Sequence, residues 1–175
     1  MAKRIGEKVI FKTKLFTIKD INLEFDDGSQ DTFQIMEKKD TAIMVPVDAD
    51  GNVIFIKEYF TALDEYQYDL PGGRIDEGHD PLSTANKELQ EEIGYKAGRL
   101  EKLITVSISP GYQTQMSHIF IAQDLVESKL EGDEKEKLEI MRWPLDNFEE
   151  LVDNGTISES RAIVALFLAK RFLKK

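Results

Sequence analysis

The sequence predicts an α/β fold: a helix–sheet–helix sandwich with a mixed sheet, preceded by a small antiparallel strand module. Three observations carry this reading. Residues 9–37 and 42–59 are rich in Phe, Thr, Ile and Val, with stretches that alternate with polar side chains, as strands do. A helical pattern stands by itself from Pro81 to Ile93, and two more close the chain. Strands and helices do not alternate strictly, so a mixed sheet is expected rather than an all-parallel one.

Each element has its own signal. Val9–Lys19 reads as one strand, and Ile21, Leu23 and Phe25 alternate in a second. Asp27-Gly28 is a hairpin turn, from which Thr32–Met36 returns antiparallel. Ala42–Val47 and Val53–Tyr59 form a second pair about a turn at Asp48–Asn52. A short strand at Tyr66–Leu70 leads into a Gly-rich loop, Pro71–His79. Asp80 then serves as N-cap, Pro81 as first helical residue and Gly94 as terminator. Strands are expected at Leu100–Ile108, Met116–Ala122 and Leu138–Trp143, and helices at Leu145–Val152 and Ser158–Leu173. Residues 1–40 have too little core to stand alone, so they form an N-terminal β module ahead of a main domain at 41–175.

Composition narrows the chemistry. The chain has 175 residues, 23 Lys+Arg and 33 Asp+Glu, for a net charge of −10. Such a surface repels phosphate backbones at long range, so no nucleic acid duplex is expected as a partner. There is no cysteine, and His79 and His118 are the two histidines. Thiolate zinc sites and Cys nucleophiles are therefore excluded, and a metal would need oxygen ligands, which favours magnesium or manganese. No apolar run approaches a membrane span and the N-terminus has no secretory pattern, so a cytoplasmic protein is expected.

The helix after the Gly-rich loop carries the chemistry. With about 100° per residue and Leu82 at 0°, Leu89 and Ile93 fall within about 20° of Leu82. Glu92 lies at about 280°, Glu88 at about 240° and Glu91 at about 180°. Glu88 and Glu92 thus border the apolar stripe, as a like-charge i,i+4 pair that costs about 0.2–0.5 kcal/mol even in water. Next to a packed face the cost rises, because carboxylates lose hydration there. A hard divalent cation removes the conflict. Most Glu-rich helices are merely solvated. Here Leu70-Pro71-Gly72-Gly73 runs ahead of the helix and allows close backbone approach to a ligand.

Gly73, His79 and the run Lys87-Glu88-Leu89-Gln90-Glu91-Glu92-Ile93-Gly94-Tyr95 resemble the box of the Nudix hydrolases, G-x5-E-x7-R-E-U-x-E-E-x-G-U with U a bulky apolar residue. The spacing, both glycines and all three helix glutamates are intact. His79 stands where Glu is usual and Lys87 where Arg is usual. Lys keeps the charge but loses the planar fork, and a neutral His cannot replace a carboxylate ligand, so activity is expected to be retained, at or below the usual level, and to be pH-sensitive. Thr13–Thr17, Glu131–Glu134, Arg142–Leu145 and the Ser109-Pro110-Gly111-Tyr112 turn extend the likeness over nearly the whole chain. It points to the ADP-ribose pyrophosphatase branch and, within it, to the ADP compounds hydrolases.

The resemblance implies metal-dependent hydrolysis of the diphosphate in ADP-linked compounds (ADP-ribose, NADH, diadenosine polyphosphates), with release of AMP. It implies Glu88 and Glu92 as main metal ligands, Glu91 in support or on a second ion, and the Gly72 carbonyl completing the shell. Glu134 of the acidic loop is the implied base, Glu136 a further metal contact, and Tyr112 a stacking residue for the substrate. Glu91 and Glu92 count with Glu134 as catalytic. The N-terminal strands are expected to form a homodimer, with packing on their own main domain as the alternative. A diphosphate-sugar hydrolase of other base preference and a non-catalytic nucleotide-sensing module are the alternatives.

Overall fold

Thr13 divides the first strand run in two. Its hydroxyl accepts the backbone N–H groups of Leu15 (3.1 Å) and Phe16 (3.0 Å), which turns the chain inside what the β-rich composition suggested was one strand. The computed structural model, which describes residues 1–132 and 136–174, therefore has β1 at Lys3–Lys12 and β2 at Phe16–Glu24. The Asp27-Gly28 turn follows, with Gly28 at φ 80° and Asp27 accepting from Ser29 N at 3.0 Å. It returns the chain as β3, Gln30–Lys38, antiparallel to β2. The order is β1-β2-β3. Residues 106–116 belong to the same compact unit: Met36 N donates to the Tyr112 carbonyl at 2.6 Å, and Thr114 N to the Met36 carbonyl at 3.1 Å. This unit comprises Met1–Asp40 and Val106–Met116.

The second unit comprises Thr41–Thr105 and the chain from Ser117 on. Its strands are β4 (Thr41–Pro46), β5 (Asn52–Phe60), β6 (Glu65–Asp69), β7 (Gly72–Arg74), β8 (Tyr95–Ser107), β9 (Met116–Glu127) and β10 (Glu139–Pro144). β8 and β9 also reach into the first unit. The expected pairing of the strands at 42–47 and 53–59 does not hold. They join through one bridge, Val47 to Val53, and then diverge into different sheets. β4 sits in β7-β4-β9-β8, antiparallel to β7 and parallel to β9, and β5 sits in β10-β5-β6. Burial explains the split. Every residue of β4 is buried, so both of its faces need cover, which one hairpin cannot give.

The helices are α1 (Pro81–Glu92), α2 (Glu149–Asp153) and α3 (Ser160–Leu173). Period two along β4 sends Ala42 and Met44 into one cluster with Ile54 and Ile56 of β5, Phe120 and Ala122 of β9, and Ala85 and Leu89 of α1. α3 also packs against β4, with Ala162, Ala165, Leu166 and Ala169 buried. The stretch at 145–152 is a 3₁₀ turn over Leu145–Asn147 followed by α2, rather than one helix. No helix among the described residues is long and apolar enough to cross a membrane.

Candidate active site

Asp80 starts α1 by accepting from Ser83 N at 3.0 Å, with Pro81 in the first turn. Leu89 and Ile93 of the expected stripe are buried, whereas Leu82 is 45 % exposed. Thr84, Ala85 and Glu92 are buried as well. The cause lies in the neighbours: α1 packs on β4 and β7, which draws the buried arc toward its glutamate side. Glu92, 8 % exposed, is inside the packed face rather than beside it.

The expected loop at Pro71–His79 begins as strand β7. Gly72 pairs with Ile43 and Gly73 with Ala42 of β4. Both glycines are set by crowding. A Cβ at Gly72 would lie 2.7 Å from the Ala42 carbonyl oxygen, and one at Gly73 would run into the Glu88 carboxylate. Gly72 N in turn donates to Glu92 Oε2 at 2.9 Å. Glu88 and Glu92, one turn apart, are therefore both laid against two consecutive residues of bare backbone.

Glu91 is held differently. Its carboxylate pairs with Lys87, and its backbone carbonyl accepts from Lys129 Nζ. Residues 128–130 cross the end of α1: Ser128 N donates to the Gly94 carbonyl at 2.8 Å, and Leu130 N to the Gln90 carbonyl at 3.1 Å. They satisfy carbonyls that a helix C-terminus leaves open, with a cation where the dipole favours one. Beside Glu91 and Glu92 lies a cleft of about 510 Å³, also lined by Gly132, Glu136 and Leu138.

Among the described residues no three acidic or imidazole side chains are gathered into a metal-holding group. The donor set still fits a hard cation. Glu88 and Glu92 supply carboxylate oxygens on one face of α1, where the space beside Gly73 is filled by the Glu88 carboxylate, Gly72 N–H donates to Glu92, and a cleft opens beside Glu92.

Glu136 lines the cleft, and its Oε2 accepts from the Tyr66 hydroxyl at 2.7 Å. Tyr112 belongs to the other compact unit and is 53 % exposed. Glu134 lies outside the described residues. His79 is exposed, its N–H donating to the Asp76 carbonyl at 3.0 Å. One titratable group escaped the sequence reading. Asp69, 5 % exposed, stands three residues before Gly72. Burial first, then the charge of Glu159, push its carboxyl up to about 7, against the Leu70 N–H bond and Arg161, with Glu58 adding to the rise. Those charges are remote in sequence, so no local pattern marks the residue.

The model of the NUDIX domain family matches residues 37–166. The chain belongs to the Nudix family. This Nudix protein is 34% identical over 172 residues to the ADP compounds hydrolase NudE of Escherichia coli strain K12, covering 97% of this chain and 92% of that one. It is 30% identical to an ADP-ribose pyrophosphatase of Bacillus subtilis strain 168, covering 94% and 92%. A crystal structure of an ADP compounds hydrolase superposes with a TM-score of 0.90 at 33% identity, over 99% of this chain and 94% of that one. The fold is thus the Nudix fold of those enzymes, and Nudix hydrolases generally need a divalent metal ion.

Proposed function

We propose that this protein hydrolyses the diphosphate of ADP-linked compounds and releases AMP. The observation that carries the proposal is the seating of Glu88 and Glu92 against the Gly72-Gly73 backbone, beside an open cleft. The names of the two relatives support the substrate class. Water forms a bond to one phosphorus while the bridging P–O bond breaks. The bridging oxygen leaves with the other phosphate, and the proton lost by water passes to a base. Glu88 and Glu92 hold the metal, with the Gly72 carbonyl, Glu91 and Glu136 as further contacts. A bound magnesium or manganese ion supplies charge neutralisation on the phosphoryl oxygens. Glu134 is the proposed base. Lys129 and Lys137 line the same cleft and offer cations to the diphosphate.

Tyr112 is proposed to stack on the substrate. The β1-β2-β3 sheet is proposed to pair with a second copy, supported by Val9, Ile10, Phe11 and Phe33, which are all exposed in this chain. The proposed compartment is the cytoplasm, in keeping with the absence of cysteine.

The test is AMP release from ADP-ribose, NADH and diadenosine triphosphate in magnesium and then manganese. Glu92→Gln keeps an acceptor for Gly72 N–H, so the fold survives while the rate falls at least about 100-fold. Silence of the wild-type protein on all three substrates, with both metals, would instead support a binding module.

A further inference from the structure

The hairpin of β5 and β6 carries an aromatic wall that the hydrolytic site does not use. Tyr59 and Tyr66 are directly opposed in the antiparallel register. Their rings meet edge to face, with centroids 5.3 Å apart. Both are about half exposed, at 46 % and 53 %. Side by side, the two rings leave a contiguous aromatic surface open to a ligand.

They are also held still. Tyr59 donates its hydroxyl to Asp64, and Tyr66 donates its own to Glu136. Two fixed hydroxyls remove ring freedom before anything binds, which lowers the entropic cost of stacking. The wall lines a cleft of about 520 Å³ together with Lys57, Glu58 and Leu138. Glu136, Lys137 and Leu138 line this cleft and also the one beside Glu91 and Glu92, so the two clefts share a boundary. One molecule with its diphosphate at the glutamates can therefore extend toward the tyrosines.

We infer that the Tyr59–Tyr66 wall is a stacking subsite for a second heterocyclic base, so that dinucleotides with a base at both ends are preferred over ADP joined to a bare sugar. The inference rests on the proposed hydrolysis of ADP-linked compounds and deepens it. Every base has a π face, so the wall accepts nicotinamide or adenine alike and discriminates only against a substrate that has no base there. Lys57, which also stands over the Tyr68 ring at 5.4 Å, adds a cation at the cleft edge.

The test compares kcat/KM for NADH with that for ADP-ribose in the wild-type protein, in Tyr59→Leu and in Tyr66→Phe. In Tyr59→Leu the ratio of NADH to ADP-ribose falls about tenfold, through KM. Tyr66→Phe loses the Glu136 hydrogen bond but keeps the ring, so its ratio falls by only about twofold. An unchanged ratio in Tyr59→Leu overturns the inference, as does an equal loss on both substrates. A Tyr66→Phe ratio that falls as far as that of Tyr59→Leu overturns it too, because the effect would then run through Glu136. If the wild-type protein cleaves neither compound, the hydrolase reading fails, and a titration following NADH fluorescence still decides the stacking. Enhancement that Tyr59→Leu abolishes supports the wall, and no enhancement in the wild type refutes it.

Discussion

Gly73 has no side chain, and the Glu88 carboxylate fills the space where one would stand. A methyl group there would lie less than 3.0 Å from three atoms of that side chain, so one of the two must move. The backbone of Gly73 is paired to Ala42 in the sheet and cannot yield easily. Glu88 would swing away instead. Gly73→Ala should therefore cost about 1–3 kcal/mol of stability by overpacking and reduce AMP release at least tenfold. Denaturant midpoints and initial rates check the two effects separately. A variant with wild-type rate would show that Glu88 need not stay against that backbone. At this scale the sequence was informative about identity but not about placement. Spacing marked Glu88, Glu91 and Glu92 together, yet the structure lays Glu88 and Glu92 on bare strand backbone and ties Glu91 to Lys87. Side-chain spacing along a helix fixes angle, not which neighbour is met at that angle.

At the scale of elements, α1 must hold Glu88 and Glu92 in register with β7. Its start depends on one carboxylate, Asp80, accepting from Ser83 N. Asp80→Ala should remove about 1 kcal/mol. That corresponds to a fall of about 2–4 °C in melting temperature for a chain of this size. Asp80→Asn, which keeps the acceptor, should recover most of the loss. A thermal melt of the three proteins tests this, and an Ala variant as stable as the wild type would mean that the helix start is fixed by packing alone. Asp80 and Pro81 were readable because capping is local chemistry. Thr13 is local too, but its turn was hidden in a run of strand formers, and the β propensity of that run outweighed one hydroxyl. The separation of β4 from β5 was not readable at all. The turn between them looks like a hairpin, and the choice of sheet is made by β9, β7 and α1, which lie further along the chain.

At the scale of the whole molecule, folding gathers charges that are far apart in sequence, and Asp69 registers the result. Its burial first, then Glu159 and Glu58, raise its carboxyl to about 7, while the Leu70 N–H and Arg161, itself paired to Glu159 at 2.8 Å, oppose the rise. An unfolded aspartate titrates near 3.8. Between those two values the native state keeps a proton that the unfolded chain has released, so raising the pH across this window favours unfolding. The contribution to stability is complete below the unfolded value, declines as pH climbs toward 7, and is gone above it. Its size is at most about 4 kcal/mol, at about 1.36 kcal/mol per unit. Asp69→Asn can still accept from Leu70 N–H but cannot ionise. Urea melts at pH 5 and pH 8 should therefore show the stability of the variant relative to wild type rising by about 2–3 kcal/mol from the lower pH to the higher one. The same variant-minus-wild-type difference at both values would show that Asp69 ionises as freely in the folded chain as in the unfolded one.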